Sequence, residues 1–338
     1  FKQKTAYDLM PSLVGSEMCI RDRVEKIRHS LDAAGVPRNR VAVHHADPLS
    51  IGLPPYLAHL VTTENLEASG FDKTERFVAR VFGVLRPYGG RALLPLSNTQ
   101  NESLAVALAS QRCPGHRLAS SQGQTILSRP GPLPGSAAWT HQYADVGNTS
   151  VSNDDRVKAP LGLLWFGGSS NHSILPRHGH GPTEQVVGGR LFIEGPDLMR
   201  AVDVYTGRVL WEVSLPGVGR AFNFTGHQPG ANATGSNYVS TEDAVYVAYQ
   251  SRCVKLDSAT GEVIAEFPLP PLGSGPSAAN AAGALYTTAA STTSRHATLS
   301  GGLCAPHSRA HARCTAGASA WSTTVSYTHL TLPTILLV

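Results

Sequence analysis

Two segments of the chain, residues 190–216 and 244–270, share one pattern without gaps, and the second begins 54 residues after the first (244 − 190). The matched residues are Leu191 with Val245, Phe192 with Tyr246, Asp203 with Asp257, Thr206-Gly207 with Thr260-Gly261, Val209 with Val263, Glu212 with Glu266 and Pro216 with Pro270. A fixed period of this length indicates one supersecondary unit that occurs twice. Such units bury their apolar faces against each other, so the repeat constrains the fold more than any other feature.

The pattern inside each copy predicts consecutive antiparallel strands. Each copy contains two short apolar runs, a D-x-x-T-G turn and a third apolar run, as in a β-meander. In such a turn the aspartate accepts backbone N–H groups and the glycine takes a positive φ. Asp203 and Asp257 are therefore interpreted as turn formers and not as catalytic residues. Trp211 is predicted to pack between neighbouring sheets, although Ala265 stands at its position in the second copy.

The stretch from Ala201 to Trp211 reads A-x-D-x-x-T-G-x-x-L-W and resembles the pyrroloquinoline-quinone-type (PQQ-like) β-propeller repeat. The resemblance implies an all-β, partial β-propeller over residues 138–272, as in large bacterial quinoprotein-repeat proteins, those of planctomycetes among them. Some members of the family are dehydrogenases that bind the quinone and calcium, and many use the same blades as a scaffold. The adjacent cysteine pair of the dehydrogenases is missing here.

The first half of the chain, residues 24–137, alternates between helical and strand-like patterns. Apolar residues at helical spacing predict helices near residues 24–34 and 74–85, and short apolar runs predict strands at residues 41–45, 57–62 and 91–96. Alternation of this kind favours a parallel sheet with helices on its faces. We expect residues 41–45 and 57–62 to be neighbouring parallel strands.

The segment VLRPYGGRALLPL, residues 84–96, resembles the helix, turn and fifth strand of class I S-adenosylmethionine (SAM) methyltransferases. The resemblance implies a partial doubly wound α/β sheet, with Asp47 at the adenine edge of the cofactor and Glu64 and Asn65 facing the substrate. Asp47 followed by Pro48 is also very common at an ordinary boundary between a strand and a loop, and this structural interpretation is the favoured one. The family's glycine-rich first turn would lie upstream of Val24 and is absent, so this segment is expected not to bind SAM as it stands.

Both ends of the chain differ from the rest. Residues 1–23 and 325–338 resemble translated sequencing adapters and are predicted not to be native protein. Residues 273–324 contain no Asp, Glu, Lys, Val, Ile or Phe, which favours an out-of-frame translation or, alternatively, a disordered linker. Because we expect the native N-terminus to be missing, the compartment stays open, and a periplasmic or secreted location is among the alternatives.

Composition narrows the classes of function. The net charge is +4 and the basic residues form no stripe, which argues against a nucleic-acid partner. The spacing of the 5 cysteines supports neither a disulfide framework nor a metal site, and no native apolar run is long enough for a membrane span. The predicted function is an inactive fragment of a binding or scaffold module with a protein or small-molecule partner. The alternatives are a SAM-dependent methyltransferase and a quinone-dependent dehydrogenase; no catalytic residue is identified.

Overall fold

The computed structural model describes residues 17–37, 40–111, 113–167, 170–176, 180–226, 230–269 and 335–337. Its helices are α1 (Glu17–Ala33), α2 (Thr74–Val84), α3 (Asn98–Ser110) and α4 (Ala231–Thr234), and its strands are β1 (Leu60–Thr63), β2 (Gly90–Leu94), β3 (Arg117–Ser121), β4 (Gln124–Arg129), β5 (Gln185–Val187), β6 (Arg190–Gly195), β7 (Leu198–Asp203), β8 (Val209–Ser214), β9 (Tyr238–Ser240), β10 (Ala244–Tyr249), β11 (Arg252–Asp257), β12 (Val263–Pro268) and β13 (Ile335–Leu337). The described residues divide into two compact units. The first contains residues 17–136, 155–165 and 335–337, and the second contains residues 137–154 and 166–269.

The first unit is built on a mixed sheet with the strand order β13-β1-β2-β4-β3. β1 pairs in parallel with β2, and α2 is the helix between them in the chain. The apolar face of α2 is buried, and its buried residues are Phe77, Val78, Val81, Phe82 and Val84. The predicted helix over residues 74–85 is thereby confirmed and ends one residue earlier, and the predicted strands at residues 57–62 and 91–96 are confirmed with shorter and shifted bounds.

The predicted strand at residues 41–45 is wrong. These residues have no regular secondary structure, and the side chain of Val41 is 42% exposed. A short apolar run becomes a strand only where a neighbour accepts its backbone hydrogen bonds. The position beside β1 is taken by β13, which pairs with β1 in parallel.

The segments predicted to be adapter-derived take part in the fold to a small extent. Residues 17–23 lie in α1, and residues 335–337 form the edge strand β13. An open sheet edge presents unpaired N–H and C=O groups that any short extended segment can satisfy, so this pairing does not depend on where the segment comes from. Residues 1–16, 270–334 and 338 lie outside the described residues, and the origin of both ends stays a prediction.

The second unit contains two four-stranded antiparallel sheets, which we call the first sheet (β5-β6-β7-β8) and the second sheet (β9-β10-β11-β12). Three of the strands in each sheet begin 54 residues apart: β6 and β10 (244 − 190), β7 and β11 (252 − 198), and β8 and β12 (263 − 209). The registers match, and both sheets have an irregularity at the equivalent place, after Ala201 in one and after Lys255 in the other. The predicted duplication of an antiparallel unit is confirmed.

The two D-x-x-T-G turns also match. Asp203 Oδ1 accepts the N–H groups of Tyr205 and Thr206 at 2.9 and 3.2 Å. Asp257 Oδ1 accepts those of Ala259 and Thr260, both at 2.8 Å. The glycines that follow, at positions 207 and 261, have φ values of 71° and 76°. Both aspartates are therefore turn formers, as the sequence predicts.

Trp211 joins the two sheets. Its indole Nε1 donates to the carbonyl of Ser258 at 3.0 Å, and its ring lies against Gly261 in the turn of the second sheet. The side chain is 8% exposed and belongs to one apolar core with Phe192 of the first sheet and Val254 of the second. The predicted position of Trp211 between sheets is thus confirmed. The described strands of this unit do not close into a barrel or ring.

The two faces of each sheet differ in what they cover. In the first sheet, paired residues place Gln185, Phe192, Ala201 and Trp211 in one row on the face toward the second sheet. We call this the leading face and the opposite one the trailing face. The second sheet packs on it with its own trailing face, through Val247 and Val254.

Candidate functional sites

Glu64 and Asn65 directly follow β1, at the carboxyl edge of the mixed sheet. Because β1 and β2 are parallel, the residues that leave β2 reach the same edge, where Ser97 caps α3. Ligands of open α/β sheets bind beyond the carboxyl ends of the strands. The structure thus places Glu64 and Asn65 at the sheet edge where such a ligand would bind.

Asn65 has a local structural task. Its Oδ1 accepts the N–H of Ala68 at 2.9 Å, and its carbonyl accepts the hydroxyl of Thr63 at 2.9 Å. Both Glu64 and Asn65 are exposed. Asn65 therefore holds the turn after β1, while Glu64 leaves its carboxylate in solvent.

Asp47 lies in an exposed loop before β1. Its Oδ1 accepts the N–H of Leu49 at 3.0 Å, and this backbone hydrogen bond is the main reason that the pKa of the Asp47 carboxyl is below its usual value. Leu49 packs against Gly70, which brings this loop beside the segment that follows β1. Among the described residues, no hydrogen bond joins Asp47 to Glu64 or Asn65. The cofactor-edge role of these residues stays a prediction.

A second candidate site lies in the second unit, at a residue that no sequence motif predicts. Glu194, near the end of β6, is 4% exposed. Its Oε1 accepts the side-chain N–H of Asn237 at 3.1 Å and faces Gly219, whose N–H also bonds the carboxyl group. Burial raises the pKa of Glu194 to about 8, against the smaller lowering effect of these two hydrogen bonds. Glu194 is therefore largely protonated at neutral pH.

Several polar atoms around Glu194 and the strands β5 and β9 are buried without a protein partner. They are Glu194 Oε2, Asn237 Oδ1, Gln185 Oε1, Ser240 Oγ and Trp139 Nε1. Two of these atoms, Asn237 Oδ1 and Gln185 Oε1, can only accept, the indole N–H can only donate, and the serine hydroxyl and a protonated carboxyl can do both. A small group that both donates and accepts, such as water, therefore fits them best. Aligning the two repeats could have drawn attention to Glu194, because the equivalent residue of the second repeat is Ala248 and the charge is not required by the repeat itself.

In the described part of the second unit, His141 and Cys253 are buried and show no reactive arrangement. Burial lowers the pKa of His141, and its Nδ1 lies 2.8 Å from the Thr140 hydroxyl. Burial raises the pKa of the Cys253 thiol to about 11, which keeps it protonated at neutral pH. The sequence favours ordinary polar loops for His178 and His227, and both lie outside the described residues. Within the described ranges, no group of three His, Cys, Asp or Glu side chains is placed to hold a metal ion.

Comparisons with known proteins give partial structural similarities to solved structures, among them two of different kinds. The crystal structure of the [4+2]-cyclase SpnF is 15% identical with a TM-score of 0.24, over 30% of this chain and 42% of the cyclase. The crystal structure of BamB from Moraxella catarrhalis is 14% identical with a TM-score of 0.18, over 33% of this chain and 25% of BamB. The chain thus spans less than half the length of either protein. No protein-family profile and no curated protein matches it. TM-scores this low establish neither fold nor function.

None of the helices in the described part of the chain combines the length and the apolar character that a bilayer-spanning helix needs.

Proposed function

We propose that the chain is part of a PQQ-like β-propeller repeat protein that acts by binding, as a scaffold module, and not by catalysis. One observation carries the proposal: two four-stranded sheets repeat the same register, irregularity and turn, and stack through Trp211. Sheets that stack face to face in sequence order are the building principle of propellers. The binding partner is a protein or a small molecule.

The chemistry of the repeats supports a scaffold. Asp203 and Asp257 both use a carboxylate oxygen to hold backbone N–H groups, which leaves them poor general bases. Glu194 is enclosed and largely protonated at neutral pH, so it does not offer a carboxylate to a substrate. The carboxylates of Asp203 and Asp257 therefore stabilise the turns of the sheets, and the indole N–H of Trp211 stabilises the contact between them.

Hydrogen exchange on the full chain tests the stacked module. Amides of β6, β7, β10 and β11 are expected to exchange as one cooperative block, because Trp211 couples the sheets. Trp211→Ala is expected to separate the protection of the two sheets. Independent exchange of the sheets in the unmodified chain would contradict the proposal.

Activity assays test the proposal that the chain does not act as a catalyst. The full chain, supplied with PQQ and Ca²⁺, is expected to reduce no dye with alcohols or aldoses as donors. Dye reduction that requires the quinone would replace the scaffold by the dehydrogenase alternative.

A methyltransferase is the second candidate, on the specific observation that Glu64 and Asn65 leave β1 at the carboxyl edge of the parallel pair β1 and β2. This first unit is proposed to be inactive as it stands. Isothermal titration with SAM is expected to give no saturable heat. A binding isotherm that is lost in Glu64→Gln and Asp47→Asn, with Glu67→Gln as an exposed control, would establish the methyltransferase-type site.

A further inference from the structure

A single carboxyl group joins the first sheet to the second. Glu194 lies in β6, two residues after Phe192, so its side chain is on the leading face, which the second sheet covers. Its Oε1 accepts the side-chain N–H of Asn237, the residue before β9, at 3.1 Å. The second sheet holds Asn237 in place, because its carbonyl accepts the N–H of Ala248 in β10 at 2.7 Å. The connection between the sheets reaches the same carboxyl group through the N–H of Gly219.

Each side chain of this contact has a second polar atom that lacks a partner. Glu194 Oε2 and Asn237 Oδ1 are both buried and have no hydrogen bond within the described residues. An ionised glutamate can only accept, and so can an amide oxygen, so both atoms would stay unsatisfied in a site closed to solvent. A protonated glutamate removes this conflict, because its O–H can donate to the amide oxygen.

The charged groups that surround the contact do not favour an ionised Glu194. In the connection between the sheets, Arg220 is exposed and pairs with Asp197 at 3.4 Å. In β9, burial raises the pKa of the Tyr238 hydroxyl well above its ordinary value, and Glu184 adds a negative charge near it. Burial raises the pKa of Glu194 to about 8, and no cation in the described part of the chain offsets this effect.

The remaining elements around the carboxyl group bring no charge against it. Arg190 is on the same face of β6 but at the other end of the strand. His172 belongs to the segment that packs beside the end of β6, and its side chain is exposed. The strands β7 and β10 contribute the apolar residues Met199 and Ala248.

We propose that Glu194 carries a proton on Oε2 and donates it in a hydrogen bond to Asn237 Oδ1, so that the two side chains form a carboxylic acid–carboxamide pair that holds the sheets together. We call this pair the acid–amide contact. It contains one O–H···O and one N–H···O hydrogen bond and uses both atoms that otherwise lack a partner. When the contact opens, Glu194 enters solvent and releases the proton to water at its ordinary pKa of 4.5. The contact is therefore strongest in acid and weakens as the pH rises.

Infrared difference spectroscopy of the full chain tests whether the proton is present. A carbonyl band of a neutral carboxylic acid is expected at neutral pH, and it should give way to a carboxylate band as the pH rises past about 8. The band should be lost in Glu194→Gln and kept in Glu242→Gln, which changes an exposed glutamate before β10. An ionised Glu194 that a water molecule bridges to Asn237 would give no such band and would overturn the proposal.

Hydrogen exchange of β6 and β10 tests whether the contact holds the sheets. The measured quantity is the opening constant of the unmodified chain divided by that of Glu194→Gln at the same pH, so that the intrinsic exchange chemistry cancels. This ratio is expected to rise by up to about tenfold per pH unit between 4.5 and 8 and to level off above 8. The glutamine can still form two N–H···O bonds with Asn237 and cannot ionise.

Asn237→Leu removes both hydrogen bonds at a similar side-chain size, so it is expected to raise the opening constant at the acid end of the range. A ratio that does not change with pH would overturn the acid–amide contact, and so would Asn237→Leu that opens no more than the unmodified chain. This inference rests on the stacked sheets of the proposed function. Independent exchange of the two sheets in Glu194→Gln at every pH would overturn the stacking itself, and the proposed function with it.

Discussion

Gly261 offers the sharpest test of the contact between the two sheets. A Cβ added to this residue would lie 2.6 Å from Cδ2 and Cε3 of Trp211, on a backbone with φ of +76°. The left-handed conformation costs a non-glycine residue roughly 1–2 kcal/mol, and forcing extra volume into a packed contact costs roughly 1–3 kcal/mol. Gly261→Ala is therefore expected to destabilise the second unit by roughly 2–5 kcal/mol.

Trp211 separates the two contributions. Trp211→Ala alone is expected to cost roughly 3–5 kcal/mol, because it empties the contact and removes the hydrogen bond to Ser258. In that background the clash is gone, so adding Gly261→Ala should cost only the backbone contribution, roughly 1–2 kcal/mol. Urea unfolding followed by far-UV circular dichroism, at low protein concentration, gives the four free energies of the double-mutant cycle. Costs that simply add would refute the reasoning, because they would mean that Gly261 and Trp211 do not touch.

Three further changes have expected outcomes. The ordinary pKa of a glutamate is 4.5, and the pKa of Glu194 in the fold is about 8. Because the folded state binds the proton more tightly than the unfolded state, the free energy of unfolding should fall as the pH rises from about 4.5 to 8. Urea unfolding at a series of pH values should show a smaller fall for Glu194→Gln, and an unchanged pH dependence would contradict the buried protonated state. Asp257→Ala removes the acceptor of two backbone N–H groups and should destabilise the second unit by about 1–2 kcal/mol, measured by the same unfolding assay; no loss would contradict the turn-forming role. Ser97→Ala breaks the reciprocal cap with Gln100 and should lower the stability of the first unit by about 1 kcal/mol, whereas an unaltered melting temperature would show that this cap is dispensable.

The features that the sequence predicts correctly are encoded locally. The D-x-x-T-G turn needs only an aspartate and a glycine at a fixed offset, so Asp203 and Asp257 form the same turn in both repeats. The helix α2 is defined by its apolar stripe, whose residues pack in the core of the first unit. Such elements depend on residues that are close in sequence and little on the rest of the fold.

The features that the sequence does not predict depend on neighbours. Residues 41–45 have a strand-like composition and no strand beside them, so they stay irregular. The hairpin of β3 and β4 turns at Gln122 and Gly123, both with positive φ; this two-residue loop is a hairpin signal that the α/β expectation hid. Glu194 becomes a buried site only because the fold brings Asn237, 43 residues away, against its carboxyl group.

The two repeats are alike where residues act within one sheet and differ where residues contact a neighbouring sheet. Residues that shape each sheet internally are alike, as Asp203 and Asp257 are. Residues that touch the next sheet differ, since Ala201 and Trp211 of the first sheet correspond to Lys255 and Ala265 of the second. A lysine beside a tyrosine tolerates solvent, whereas a tryptophan in the same row needs a cover. The second sheet can therefore exist with its leading face uncovered, and any partner of that face must accommodate a cation.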